Sequence, residues 1–168
     1  MLISWMLIIF LLILLTFIWP PDSPWSPWWR TSRKVARVAC RLAKISKNDV
    51  VYELGSGDGE FILAAANEFN ARKAVGIEID HSRYFVSKIK NRIRGTSSAE
   101  FIRSDFKKVK LTDATVVYFY LVPAVIKRIM PKLREELKTG TRIVSYRYEI
   151  PLKLTNEDKK NNMYLYKI

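Results

Sequence analysis

The stretch VVYELGSGDGE at positions 50–60 constrains the chain more than any other. Residues 49–54 predict a short buried strand, bounded upstream by the turn formers Ser46, Lys47, Asn48 and Asp49. Gly55, Gly57 and Gly59 follow at alternate positions, and residues 60–69 predict a helix. Strand, glycine turn and helix are how an open α/β sheet offers bare backbone and a helix N-terminus to a ligand. A phosphate-binding loop of the G-x-x-x-x-G-K-[ST] kind would carry a lysine, and this turn has none. It carries Glu53 at the strand end and Asp58 inside the turn, which suits a cationic ligand better than a pyrophosphate. The alternative is a tight strand-to-helix turn with no ligand.

The E-x-G-x-G-x-G spacing from Glu53 to Gly59 resembles the first motif of class I S-adenosylmethionine-dependent methyltransferases. The resemblance implies that Glu53 lies near the amino end of the methionine moiety and that Gly55, Ser56, Gly57 and Gly59 border the cofactor. Residues 74–79 predict a second strand ending in Glu78, 25 positions after Glu53. An acid there can accept hydrogen bonds from ribose hydroxyls, and Asp80 caps the helix that follows. The alternative for Glu78 is a surface carboxylate at a helix start. Residues 99–103 predict a third strand, after which Asp105 and Phe106 can hold an adenine by its amine and its ring face.

Residues 2–19 contain no charge, and Ser4 and Thr16 are their only polar side chains apart from the Trp5 and Trp19 indole N–H groups. As a helix at about 1.5 Å per residue the run spans roughly 27 Å, close to the hydrocarbon thickness of a bilayer. No basic residue precedes it, so it predicts a retained transmembrane helix over a cleaved signal peptide. Residues 20–29 predict an extended Pro/Trp-rich linker, in which Trp25, Trp28 and Trp29 join Trp19 as an interfacial aromatic belt or pack on the domain. All 29 basic residues and 15 of the 16 acidic ones lie beyond Trp29, giving residues 30–168 a formal charge of +14. The positive-inside rule then puts that part on the cytoplasmic side of a membrane, or in an equivalent compartment.

Residues 30–168 suffice for one domain. A lone Cys40 forms no internal disulfide, and His81 has no companions for a metal site, so no metal is expected. Residues 32–45 predict an amphipathic helix with Val35, Val38, Leu42 and Ile45 on one side. Lys34, Arg37, Arg41 and Lys44 lie on another, facing either solvent or anionic head groups. Residues 83–94 predict a helix with Phe85, Ile89 and Ile93 along one side and Gly95 as its stop. Residues 116–121 predict a central strand, residues 141–146 a fifth, and residues 163–168 a final antiparallel strand at an edge. Between the fourth and fifth strands comes a helix that Pro131 should break or restart. The fold expected is α/β: a Rossmann-like, doubly wound, mostly parallel sheet with an antiparallel edge strand, preceded by one transmembrane helix.

With YELGSGDGE, VGIEID, RSDF, YLVP and GTRIVS in order, residues 30–168 resemble the membrane-anchored protein-lysine methyltransferases related to the mitochondrial ATP synthase c-subunit lysine methyltransferase. The resemblance implies S-adenosylmethionine as cofactor and a membrane or membrane-proximal protein as substrate. His81 stands where many relatives have proline, and the region after Tyr146 is short. Tyr120-Leu121-Val122-Pro123 offers no side-chain amide or carboxylate to a nucleobase amine, which disfavours nucleic acid. Tyr118, Tyr120 and Pro123 can instead line a slot for a lysine ammonium, whose pKa near 10.4 an apolar aromatic site lowers. A lipid, small-molecule or RNA methyltransferase, and a module that binds cofactor or lipid without catalysis, remain the alternatives.

Overall fold

The structure is a computed structural model that describes residues 2–18 and 29–168. The uncharged run forms helix α1 (Leu2–Ile18), 17 residues long. Among the described residues, no helix is long and apolar enough to cross a membrane. Trp19 and the linker up to Trp28 lie outside the described residues.

A seven-stranded sheet organises the rest, in the order β3-β2-β1-β4-β5-β7-β6. Its strands are β1 (Val50–Leu54), β2 (Lys73–Glu78), β3 (Ala99–Arg103), β4 (Val116–Phe119), β5 (Arg142–Tyr146), β6 (Leu154–Asp158) and β7 (Met163–Lys167). The first five run parallel; β7 is antiparallel to β5, and β6 is antiparallel to β7. The expected doubly wound, Rossmann-like sheet is present, with one correction at its far side. The last strand is not the edge: the polar segment LTNED forms β6 outside it, where exposed side chains suit an edge.

Successive residues of the central strands feed two cores. Val51 and Val116 face α2 (Arg33–Leu42) and α3 (Glu60–Asn67), whereas Val50, Leu54, Val117 and Phe119 face α5 (Pro123–Glu136). That two-sided burial explains why β1 and β4 read as unbroken apolar runs. In α2 the small residues Ala36, Ala39 and Cys40 are the buried ones, while Val35, Val38 and Leu42 are only partly buried. Small side chains let α2 lie close on Ala64 and Ala65 of α3, and Arg33 and Arg37 both pair with Glu68. The basic side of α2 is thus partly engaged within the protein. Pro131 sits inside α5 without breaking it. Both Pro131 and Lys127, whose carbonyl loses its partner there, are exposed, so water can satisfy that carbonyl.

At the opposite end of the sheet from the glycine turn, buried Asp49 ties three strands together. It accepts hydrogen bonds from Thr115 Oγ1 (2.7 Å), from the Ser46 amide (2.8 Å) and from Arg142. Burial alone would raise its pKa, but these partners outweigh it and lower the carboxyl below its ordinary value. The carboxyl therefore stays charged in the folded chain at a pH where the unfolded chain takes up a proton. Its stabilisation is complete above about pH 4 and is lost as acid carries the pH down through the lowered value. Asp49→Ala, which strands Arg142, should cost about 3 kcal/mol at neutral pH. Urea melts at pH 7 and pH 3 should show the gap between variant and parent narrowing in acid.

Candidate active site

The sheet order reverses between β1 and β4, and a cavity opens beyond their carboxyl ends, where an open α/β sheet places its ligand. Glu53 and the turn after β1 form its floor, Glu78 and Ile79 one side, and Tyr120 and Leu121 the other. The turn demands its glycines: Gly55, Gly57 and Gly59 have φ of +78°, +52° and +80°. Its amides are largely committed. Those of Gly55 and Ser56 donate to the Ile77 carbonyl, that of Gly57 to Glu78 Oε2 (2.7 Å), and that of Gly59 to the Ser56 carbonyl. Such a turn is no anion cradle.

Its electrostatics are acidic. Glu53 is buried, and burial, together with the neighbouring Asp58 and Glu78 carboxylates, pushes its pKa well above the ordinary carboxylate range. Glu53 Oε2 and Ser56 Oγ are buried polar atoms without a hydrogen-bond partner among the described residues, and both residues line the cavity. A buried carboxyl oxygen left unsatisfied beside two other carboxylates is a site for a cation. Glu78 is also buried and its pKa raised by that burial, against the pull of the Asp80 and Gly57 amides. Asp58 is engaged by Arg30 (2.6 Å) and Lys90 (2.8 Å), and Lys90 also reaches Glu60 (2.7 Å).

The cavity therefore brings together Glu53, Gly55, Ser56, Gly57, Glu78, Phe106 and Tyr120, all legible in the sequence. Four residues expected with them stand elsewhere. Gly59 faces the Phe101 ring, where it makes room for helix-on-sheet packing. Asp105 does not line the cavity, and its Oδ1 accepts from the Lys107 amide (2.9 Å). Pro123 is exposed at the first position of α5, pre-set for a helix start rather than turned to the cavity. Tyr118 is fully buried, stacked on Phe61 at 4.1 Å with its hydroxyl 3.4 Å from Thr31 Oγ1, and so belongs to the core.

The segment before α2 supplies what the sequence did not reveal. Trp29 and Thr31 line the cavity, and Arg30 between them is tied to Asp58. The Trp29 ring lies 5.7 Å from that of Tyr120, and Tyr120 lies 4.5 Å from Tyr146. Arg147, with φ of +68°, places its guanidinium 5.6–5.7 Å from the centres of all three rings. An aromatic cage at the rim of an acidic cavity thus already holds a cation. Trp29 packs on this site, as one of the two expectations for it had it. Arg147 has no local sequence signature; only the fold brings it to the cage.

The model of the ANTKMT methyltransferase domain family matches residues 53–156. A protein-lysine N-methyltransferase of Saccharolobus islandicus (strain REY15A) is 38% identical over 158 residues, spanning 88% of this chain and 95% of that protein. The lysine N-methyltransferase of Mus musculus that acts on the ATP synthase c-subunit is 32% identical over 122 residues. That match spans 72% of this chain but 48% of the mouse protein. A crystal structure of an RNA methyltransferase from Salinibacter ruber with S-adenosyl-L-homocysteine superposes with a TM-score of 0.79 and 31% identity, covering 83% of this chain and 94% of that one.

Proposed function

Because the chain belongs to the ANTKMT methyltransferase domain family and is an S-adenosylmethionine-dependent methyltransferase, we propose that it methylates lysine ε-amino groups in a membrane or membrane-proximal protein. The observation that carries this reading is the cation held by Trp29, Tyr120 and Tyr146 at the rim of the cavity. The lysine methyltransferases among its relatives support it.

The cofactor supplies a methyl group already activated by its sulfonium sulfur. The residues present fit it: Glu53 Oε2 and Ser56 Oγ are polar atoms awaiting partners, and Glu53 would take the ammonium of the methionine end. Glu78, whose two oxygens each accept one amide, would use its remaining lone pairs for the ribose hydroxyls. Phe106 would lie against the adenine. On the substrate side, the cage takes the ammonium by its charge, and its apolar walls favour loss of the proton that blocks the nitrogen lone pair. Burial raises the Tyr120 pKa, against the pull of Arg147, so its hydroxyl stays protonated and is no general base. Water takes the proton, and the chain's contribution is alignment and dehydration.

Arg147 competes with the substrate for the same rings. Arg147→Ala should lower KM for a lysine substrate about fivefold, and Tyr146→Ala should lower kcat/KM about tenfold, both leaving cofactor affinity unchanged. Steady-state kinetics with calorimetric cofactor titrations check both. Tandem mass spectrometry of a methylated protein substrate tests the reading itself: added methyl mass must sit on lysine side chains. The second reading is RNA, favoured by the formal charge of +13 and by the Salinibacter ruber neighbour. Against it, Leu121, Val122 and Pro123 still offer no polar side chain to an exocyclic amine.

We propose further that the uncharged run at positions 2–19, of which α1 is the described part and by itself too short to span, anchors the enzyme in a bilayer, with the basic remainder on the cytoplasmic side. The 17 residues of α1 carry no charge, and the side chains from Ile3 to Leu14 are exposed. The chain should stay with membranes after alkaline carbonate extraction; release into the supernatant would remove the anchor.

A further inference from the structure

Helix α4 (His81–Arg94) turns its apolar side outward. Of its 14 residues only Ser87 is buried, while Phe85 is 59% and Ile93 79% exposed, with Val86 and Ile89 also exposed. At 100° per residue Phe85, Ile89, Ile93 and Val86 span one arc of about 100°, and Lys88 and Arg92 border it on one side. The stripe continues past the helix start to exposed Ile79, which lines the rim of the cofactor cavity. A soluble face of this kind is unusual, and apolar residues bordered by cations are what a helix lying in a membrane interface presents.

We infer that this face of α4 lies on an anionic lipid surface and turns the mouth of the cavity toward the head groups. The inference deepens the proposed membrane location. Three features favour lipid over other occupants. α4 contains no acidic residue, so a second copy seated on the same face would set Lys88 and Arg92 against their own like charges. α1 of the same chain is uncharged and offers those cations nothing. Lipid phosphates satisfy both parts of the face, each basic residue near an anionic surface adding on the order of 1 kcal/mol. A substrate lysine at head-group depth would then meet the cage rim directly.

The test uses the full chain with Ile93→Cys carrying an environment-sensitive fluorophore; Cys40 is fully buried, with its thiol pKa pushed up by that burial, and stays unlabelled. The protein is mixed with vesicles of phosphatidylcholine alone or of equimolar phosphatidylcholine and phosphatidylglycerol. The probe should shift to the blue and be quenched by a lipid-borne quencher in the anionic vesicles only. Lys88→Glu with Arg92→Glu should reduce the shifted fraction at least about tenfold. Flotation with the vesicles, read in the same samples, reports α1 separately. Protein that floats while the probe keeps its aqueous emission overturns the α4 inference and leaves the anchor standing. A blue shift that grows with protein concentration in the absence of lipid also overturns it, by showing a second copy on the face.

Discussion

Glu53→Gln should weaken S-adenosylmethionine binding about 100-fold while leaving the cofactor-free protein at least as stable as the parent. The two halves of this result have one cause. In the parent, Glu53 is buried with an unsatisfied Oε2 and two carboxylates nearby, so its charged form is disfavoured until a cation arrives. Losing a hydrogen bond between charged groups costs about 3 kcal/mol, and each 1.4 kcal/mol is tenfold in affinity. An acid whose pKa is raised by folding subtracts stability above its unfolded value near 4.3, so the neutral amide removes a penalty at pH 7. Binding to the parent should also release a proton below that raised pKa, because the arriving ammonium draws Glu53 into its charged form. Calorimetry in two buffers of different ionisation heat measures this release, and Glu53→Gln should show none. A variant that binds normally would remove Glu53 from the cofactor site.

Gly59→Ala should lower stability by about 3 kcal/mol, or roughly 10 °C in Tm. The added Cβ would stand 2.5 and 2.6 Å from two carbons of the Phe101 ring and 3.2 Å from Ser87 Cβ. Both neighbours are buried, and neither can move away cheaply. The residue also holds φ at +80°, which costs an L side chain about 1–2 kcal/mol by itself. Gly95→Ala separates the two causes, since it shares a positive φ of +63° but meets nothing within 4 Å. It should lose only the conformational part, and Phe101→Leu should return much of the steric part to Gly59→Ala. Because Gly59 does not line the cavity, the folded fraction of the variant should keep its cofactor affinity.

What the sequence revealed follows from range. The glycine turn, Glu53 and Glu78 lie within 30 residues of one another on elements whose pattern is local, and the structure joins them through the bond from the Gly57 amide to Glu78. Asp80 as helix cap, accepting from the Arg83 amide at 2.8 Å, and Gly95 as helix stop are likewise local effects. The cage was hidden because Trp29, Tyr120 and Arg147 are far apart in sequence and meet only through the sheet order. Tyr118 and Tyr120 look equivalent in the sequence, yet strand alternation does not decide between them: Tyr118 ends against Phe61, and Tyr120 lies past the strand end at the cavity. Residues 154–158 lack an apolar alternation and form a strand because β7 offers an unpaired edge. In α4 the four-residue repeat of Phe85, Ile89 and Ile93 is real but points away from the core. Periodicity identifies a helix face without saying what covers it.

Protein lysine is the proposed methyl acceptor of this methyltransferase. The most direct test is to incubate the full chain and tritiated S-adenosylmethionine with protein and RNA fractions of the same cells, then hydrolyse each labelled product. Tritium should appear in the protein fraction, recovered as methylated lysine and lost in Glu53→Gln. Tritium recovered in nucleosides, with none in lysine, would contradict it.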